Sequence, residues 1–195
     1  MTADVTLRPA TRGFTMIELM AGIAIAALLV FLAAPSFTTF LRNSEIRSTS
    51  ESIINGLRAA SSEAARQNRR VMFTLAGSNS ASWAINLVND PVDCADPVMP
   101  AIQSYVKEEA GKNSTITSTP AGQLKVCFDG VGRVVKQGTP NDHIQQIDIA
   151  SVVAGEARPL RIIVDDPNPP AAGKPRGLRL CDPDTNLPAD DPRRC

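Results

Sequence analysis

The side chains able to do chemistry do not converge in this chain. Its one histidine, His143, follows Thr139-Pro140-Asn141-Asp142 in a turn-like setting and reads as a solvated surface residue rather than a base. Asp165-Asp166 and Asp190-Asp191 are paired carboxylates that a cation would suit, but each pair sits among prolines and reads as loop. Cys94, Cys127, Cys181 and Cys195 contain no Cys-x-x-Cys, so a zinc site is not expected. No Walker motif, glycine-rich phosphate cradle or His-Glu-x-x-His is present. We therefore expect no enzymatic activity, no metal and no cofactor. An even number of cysteines, all beyond an apolar N-terminal run, instead suits two disulfides in an oxidising compartment.

One carboxylate is out of place. Arg12 to Gly22 reads "RGFTMIELMAG", and Glu18 stands at the head of the most apolar run in the chain. Leu19 to Leu41 carries no charge. As a helix rising ~1.5 Å per residue it would span about 34 Å, enough for a ~30 Å hydrocarbon core. A secretory signal would be shorter and would end at a cleavable small-residue site. Leu32-Ala33-Ala34 is followed directly by Pro35, and Phe37, Phe40 and Leu41 continue the apolar character, so a membrane span is the better reading. A carboxylate in a span costs ~2.5–3.5 kcal/mol at mid-bilayer, less near an end, and is a functional candidate by default. The plainer account is an acid in the first helical turn, favoured by the helix dipole.

Flanking charge is mildly positive on both sides (Arg8 and Arg12 with Asp4; Arg42 and Arg47 with Glu45), so orientation follows from the cysteines. The C-terminal part should face the oxidising side. The 195-residue chain has 20 basic and 20 acidic residues, which argues against a general nucleic-acid binder.

The positioning elements follow from periodicity. Ile46, Ile53, Ile54, Leu57, Ala60 and Ala64 recur near the helical period, and no glycine–proline break falls between Leu41 and Arg69. One long helix is predicted from Phe14 to Asn68, kinked at Pro35, where a backbone hydrogen bond is lost. Gly56 weakens its second half and suits close packing against a sheet. Strands are predicted at Val71–Leu75, Trp83–Val88, Leu124–Phe128, Arg133–Lys136, Ile144–Ala150, Leu160–Val164 and Leu178–Cys181, with a hairpin-type turn at Asp129-Gly130. Asp90 to Gly111 is ambiguous, with Pro91, Pro97 and Pro100 marking a loop, and Pro167–Pro175 is a connection. A sheet with one apolar face needs a cover, and the Ile46–Ala64 stripe supplies it. The fold class is α+β.

Gly13-Phe14-Thr15-Met16-Ile17-Glu18, an apolar helix behind it and Pro35 at the twenty-second place from Phe14 together resemble the type IV pilins and type II secretion pseudopilins. The resemblance implies cleavage by a prepilin peptidase between Gly13 and Phe14, N-methylation of Phe14, and an assembly role for Glu18 opposite a neighbouring subunit's N-terminal amine. It implies a leader over 1–13, a transmembrane and assembly helix over 14–41, its amphipathic continuation over 42–69, and an antiparallel β-sheet head over 70–195. One helix followed only by strands resembles the GspH/FimT group. The tail "RGLRLCDPDTNLPADDPRRC" is similar to that of FimU-type minor pilins.

The function implied is a minor type IV pilin that helps initiate assembly near the pilus tip. Its partners would be other minor and major pilins, the prepilin peptidase and the inner-membrane assembly platform. It would be an inner-membrane, single-pass protein with a periplasmic head that later joins a pilus or pseudopilus. Four cysteines allow three pairings. The resemblance favours a C-terminal loop closed by Cys181–Cys195, and we expect Cys94–Cys127 beside it. Two alternatives stand: a type II secretion pseudopilin H, and a FimT-like DNA-binding pilin using Lys174, Arg176, Arg179, Arg193 and Arg194. Asp182, Asp184, Asp190 and Asp191 nearly cancel that basic group. Its order Arg176-Gly177-Leu178-Arg179 also departs from the Gly-Arg-x-Arg motif of DNA-binding members.

Overall fold

A computed structural model describes residues 13–77, 80–89, 94, 97–107, 114–135, 143–153, 155, 157–165, 177–188 and 190–195. Its first element is a single helix, α1 (Met16–Gln67), whose 52 residues run through Pro35 without interruption. By contacts the chain divides into two compact units, Met1–Thr38 and Thr39–Cys195. In the first, every described side chain is exposed. An 18-residue window of mean hydropathy 2.5 makes α1 long and apolar enough to cross a membrane.

In the second unit the helix becomes amphipathic. Ile46, Ile53, Ile54, Leu57, Ala60 and Ala64, the stripe read from the sequence, are all buried. Two four-stranded sheets are seen where one was expected. The strands are β1 (Val71–Leu75), β2 (Trp83–Leu87), β3 (Gln103–Tyr105), β4 (Ser114–Thr119), β5 (Lys125–Phe128), β6 (Gln146–Ser151), β7 (Leu160–Ile163) and β8 (Arg179–Cys181). The first sheet has the order β3-β2-β1-β5 and the second β4-β6-β7-β8, every pair antiparallel. Phe73, Ile85, Val126 and Phe128 of the first sheet and Ile116, Ile147, Ile149 and Ile162 of the second share one core with the helix stripe. Burying each such side chain contributes ~1.5–3 kcal/mol.

At Gly56 α1 lies tightly against the first sheet. A Cβ there would stand 2.8 Å from the Trp83 ring and 3.0 Å from Phe73. The indole is held from three sides: its Nε1–H donates to Ser52 Oγ at 3.2 Å, and its ring packs on Phe73 and Tyr105 at centroid distances of 5.8 and 6.0 Å.

The helix ends as a Schellman motif. Asn68 adopts φ 49°, the Arg69 N–H donates to Ala64 O, and the Asn68 N–H to Ala65 O. Next to this end lies the Asp129–Arg133 turn. Asp129 Oδ1 accepts from the Val131 and Arg133 N–H groups, and Ser61 Oγ donates to Gly132 O at 2.7 Å.

Three sequence expectations need correction. Arg133–Lys136 is not a strand: the tight Asp129 turn leaves only an isolated bridge between Phe128 and Val134, and Lys136 lies outside the described residues. β3 falls inside the ambiguous Asp90–Gly111 stretch, and β4 was not predicted. β4 reads Ser-Thr-Ile-Thr-Ser-Thr, with one apolar residue to betray its inward face, and its strand state comes from pairing with β6. Pro167–Pro175 lies outside the described residues.

Candidate functional site

The N-terminal motif is built on a helix start. Gly13, Phe14 and Thr15 precede α1 in non-helical backbone, and Phe14 is 91% exposed. The Gly13–Phe14 bond is therefore exposed and outside the helix. Thr15 and Glu18 form a reciprocal capping box. The Thr15 N–H donates to Glu18 Oε2 at 2.8 Å, Thr15 Oγ1–H to the same oxygen at 2.9 Å, and the Glu18 N–H returns a bond to Thr15 Oγ1 at 3.3 Å. Glu18 therefore serves its own helix by satisfying an N-terminal donor that would otherwise be unpaired. Thr15 is a residue that the motif reading misses, although Thr-x-x-Glu ahead of an apolar run is a legible signal.

The four cysteines form two disulfides. Cys94–Cys127 has a Cα separation of 6.3 Å and packs with Met72 and Val88 in a small buried cluster of its own. Cys181–Cys195, with Cα atoms 5.1 Å apart, joins β8 to the last residue. The loop it closes is tied further: the Asp182 N–H donates to Arg193 O at 2.6 Å and the Cys195 N–H to Asp182 O at 3.0 Å. Arg193 grips Asp191 through Nε and Nη2 at 3.1 and 2.7 Å. These bonds, first from the Arg193 side chain and then from its backbone N–H, hold the Asp191 carboxyl down at about 2.

Three of the five residues named for DNA contact lie among the described residues. Arg179 is a half-buried residue of β8 opposite Ile163, with Nε and Nη1 out of solvent. Arg193 is committed to Asp191, and Arg194 Nη1 donates to Leu187 O at 2.9 Å. Lys174 and Arg176 lie outside the described residues. His143 also departs from expectation. It is 5% exposed, with Nε2 3.3 Å from Asp165 Oδ2, because the chain enters the core at Ile144 one residue later. No local signal separates that burial from a surface turn. Among the described residues no group of His, Cys, Asp or Glu is placed to hold a metal ion.

Comparison with known proteins gives two family matches. Residues 49–167, more than half of the chain, match the model of the type II transport protein GspH. Residues 8–34 match the prokaryotic N-terminal methylation motif. No curated protein sequence matches the chain. Among solved structures, two crystal forms of the Pseudomonas aeruginosa (strain PAO1) type IV minor pilin FimU are similar. One is 18% identical and covers 64% of this chain and 86% of its own, with a TM-score of 0.43. The other is 19% identical and covers 60% and 85%, with a TM-score of 0.40.

Proposed function

The chain belongs to the family of the type II transport protein GspH, and from that premise we propose that it is a minor type IV pilin, matured by a prepilin peptidase and assembled with other pilins. Residues 1–13 are the leader, 14–41 the membrane and assembly helix, 42–69 its continuation, and 70–195 a head on the periplasmic side. The observation that carries this reading is the exposed, non-helical Gly13–Phe14 bond lying inside a methylation motif and directly ahead of a 52-residue helix.

The chemistry follows from the charge balance. Cleavage leaves Phe14 as a cationic terminus at a helix start, where charge and dipole both call for an anion. Thr15 occupies Oε2 of Glu18, so Oε1 is the oxygen offered to a neighbour's ammonium. In a low-dielectric bundle an unpaired charge is costly, so that contact rewards correct axial register. Protein extracted from membranes should begin at Phe14 on N-terminal sequencing, with a methylated amine. An intact leader in cells with active peptidase, or a start after Ala34, would sink the proposal.

The family match favours a second reading, pseudopilin H of a type II secretion system. Deleting the gene separates the two: loss of surface pili supports the minor pilin, and loss of protein secretion with pili intact supports the pseudopilin.

A further inference from the structure

We propose that β3 is an interface with a second copy of this chain, the two β3 strands pairing antiparallel about Ser104. The inference concerns the head alone and goes beyond the choice between pilus and pseudopilus.

β3 (Gln103–Tyr105) ends the first sheet, and all three of its residues are exposed. On one side it pairs with β2, Ser104 opposite Ala84. Among the described residues no strand lies on its other side. The opposite end of the same sheet is covered: the Val135 N–H donates to Cys127 O and the Ile144 N–H to Lys125 O along β5. Backbone N–H and C=O groups along an uncovered edge invite another strand, and proteins guard them with charge, proline or a covering segment.

At β3 those guards are missing or turned away. Residues 97–106 read Pro-Val-Met-Pro-Ala-Ile-Gln-Ser-Tyr-Val, without a charge, and Pro100 stands two places before Ile102. The next residue, Lys107, is held at the helix instead. Its Nζ donates to Thr49 Oγ1 at 3.0 Å and lies 3.6 Å from Glu45 Oε1. What the edge presents is apolar, with Ile102 40% and Val106 72% exposed.

Three features select a second copy as the occupant. An edge needs hydrogen-bonding partners, which an extended chain supplies and a purely apolar ligand does not. With no charge over 97–106, two copies bring no like charges face to face. The strand is also self-complementary. Antiparallel pairing about Ser104 sets Gln103 opposite Tyr105 and Ile102 opposite Val106, so apolar meets apolar at both ends of the ladder. One strand thereby satisfies a two-fold contact. A ladder of five residues is ~17 Å long, at the weak end of protein interfaces, so covalent trapping is the suitable measure.

Opposed residues of an antiparallel pair have Cα atoms ~4.5–5.5 Å apart, inside the ~4.4–6.8 Å that a disulfide spans. The full chain carrying Ser104→Cys is oxidised with copper–phenanthroline in membranes of the producing cells. Products are read by non-reducing electrophoresis and peptide mapping. Gln103→Cys tests the register, since its two copies would meet only on a diagonal of ~7–8 Å. Val131→Cys, 69% exposed in the Asp129–Arg133 turn, measures random collision. Adding Val106→Lys to Ser104→Cys sets a charge against Ile102 of the second copy, and thermal melting checks that the fold is kept.

We expect a product of twice the chain's mass, joined at position 104, at least ten-fold above the Gln103→Cys and Val131→Cys yields. Val106→Lys should lower it about ten-fold. Equal yields at the three positions, or a position-104 yield that Val106→Lys leaves unchanged, overturn the inference. A position-104 product that joins this chain to a different protein also overturns it and assigns the edge to that partner.

Discussion

At the scale of single residues, the informative positions are those where one atom more or one proton more has a definite cost. Gly56 faces the fused edge of the Trp83 indole, which is held by Ser52, Phe73 and Tyr105 and cannot swing away. Gly56→Ala gains up to ~1 kcal/mol of helix propensity but overpacks by ~1–3 kcal/mol, so overpacking wins. Thermal melting of the full chain in detergent should fall by about 2–6 °C, and a rise would refute the tight contact. Asp191 carries a pH prediction. Its folded-state value of about 2 lies below the ordinary 3.8. The contribution of its contact with Arg193 is therefore fully present above pH ~4 and lost as pH falls through about 2. Carbon NMR of the Asp191 carboxyl should give a midpoint about 2, and a midpoint near 4 would show that Arg193 does not hold it in solution.

At the scale of elements, the two disulfides act on different structures. Cys181–Cys195 closes a span of 14 residues whose backbone is already bonded to itself at Asp182, Arg193 and Cys195. Cys94–Cys127 closes a span of 33 and supplies two of the buried members of a small apolar cluster. In the chain-entropy model the shorter closure contributes ~3 kcal/mol and the longer one more. Removing buried sulfur from a packed cluster adds a further loss. The Cys94→Ser/Cys127→Ser protein should therefore melt lower than Cys181→Ser/Cys195→Ser. The reverse order would mean that the C-terminal loop, rather than the β5 tether, holds the head together.

At the scale of the whole molecule, the prediction concerns the separation of membrane insertion from assembly. Glu18→Ala removes a carboxylate that a span tolerates at a cost and with it the bonds that Glu18 accepts from Thr15, leaving Thr15 as the N-cap. Inserting the lone chain into the membrane should be no harder. Joining a filament should be impaired, because a neighbouring amine loses its counter-charge. Cell fractionation and the sheared pilus fraction measure the two steps in one strain. Equal amounts of Glu18→Ala and parent protein in sheared pili would leave Glu18 only its part in the capping box with Thr15.

What could be read from sequence is what depends on neighbours along the chain. The Ile46–Ala64 stripe repeats with the helical period, so its buried face was visible before any coordinate, and so was the use of Gly56 for close packing. Glu18 announced itself as a lone charge before an uncharged run. The Asp129-Gly130 turn was legible from two residues. Tertiary structure decided whatever depends on distant partners. β4 is a strand because β6 lies beside it, since its own residues carry almost no apolar pattern. Phe128 and Val134 were read as parts of two paired strands, yet Asp129 closes so tight a turn that only one bridge forms. His143 left its surface turn for the core because Ile144 anchors the chain there and Asp165 arrives from beyond β7 to meet it. Arg179 is half-buried because β8 pairs with β7, a placement that its position in the basic tail does not disclose. Periodicity and charge are written locally, whereas burial of a polar side chain is set by residues that the chain brings back from far away.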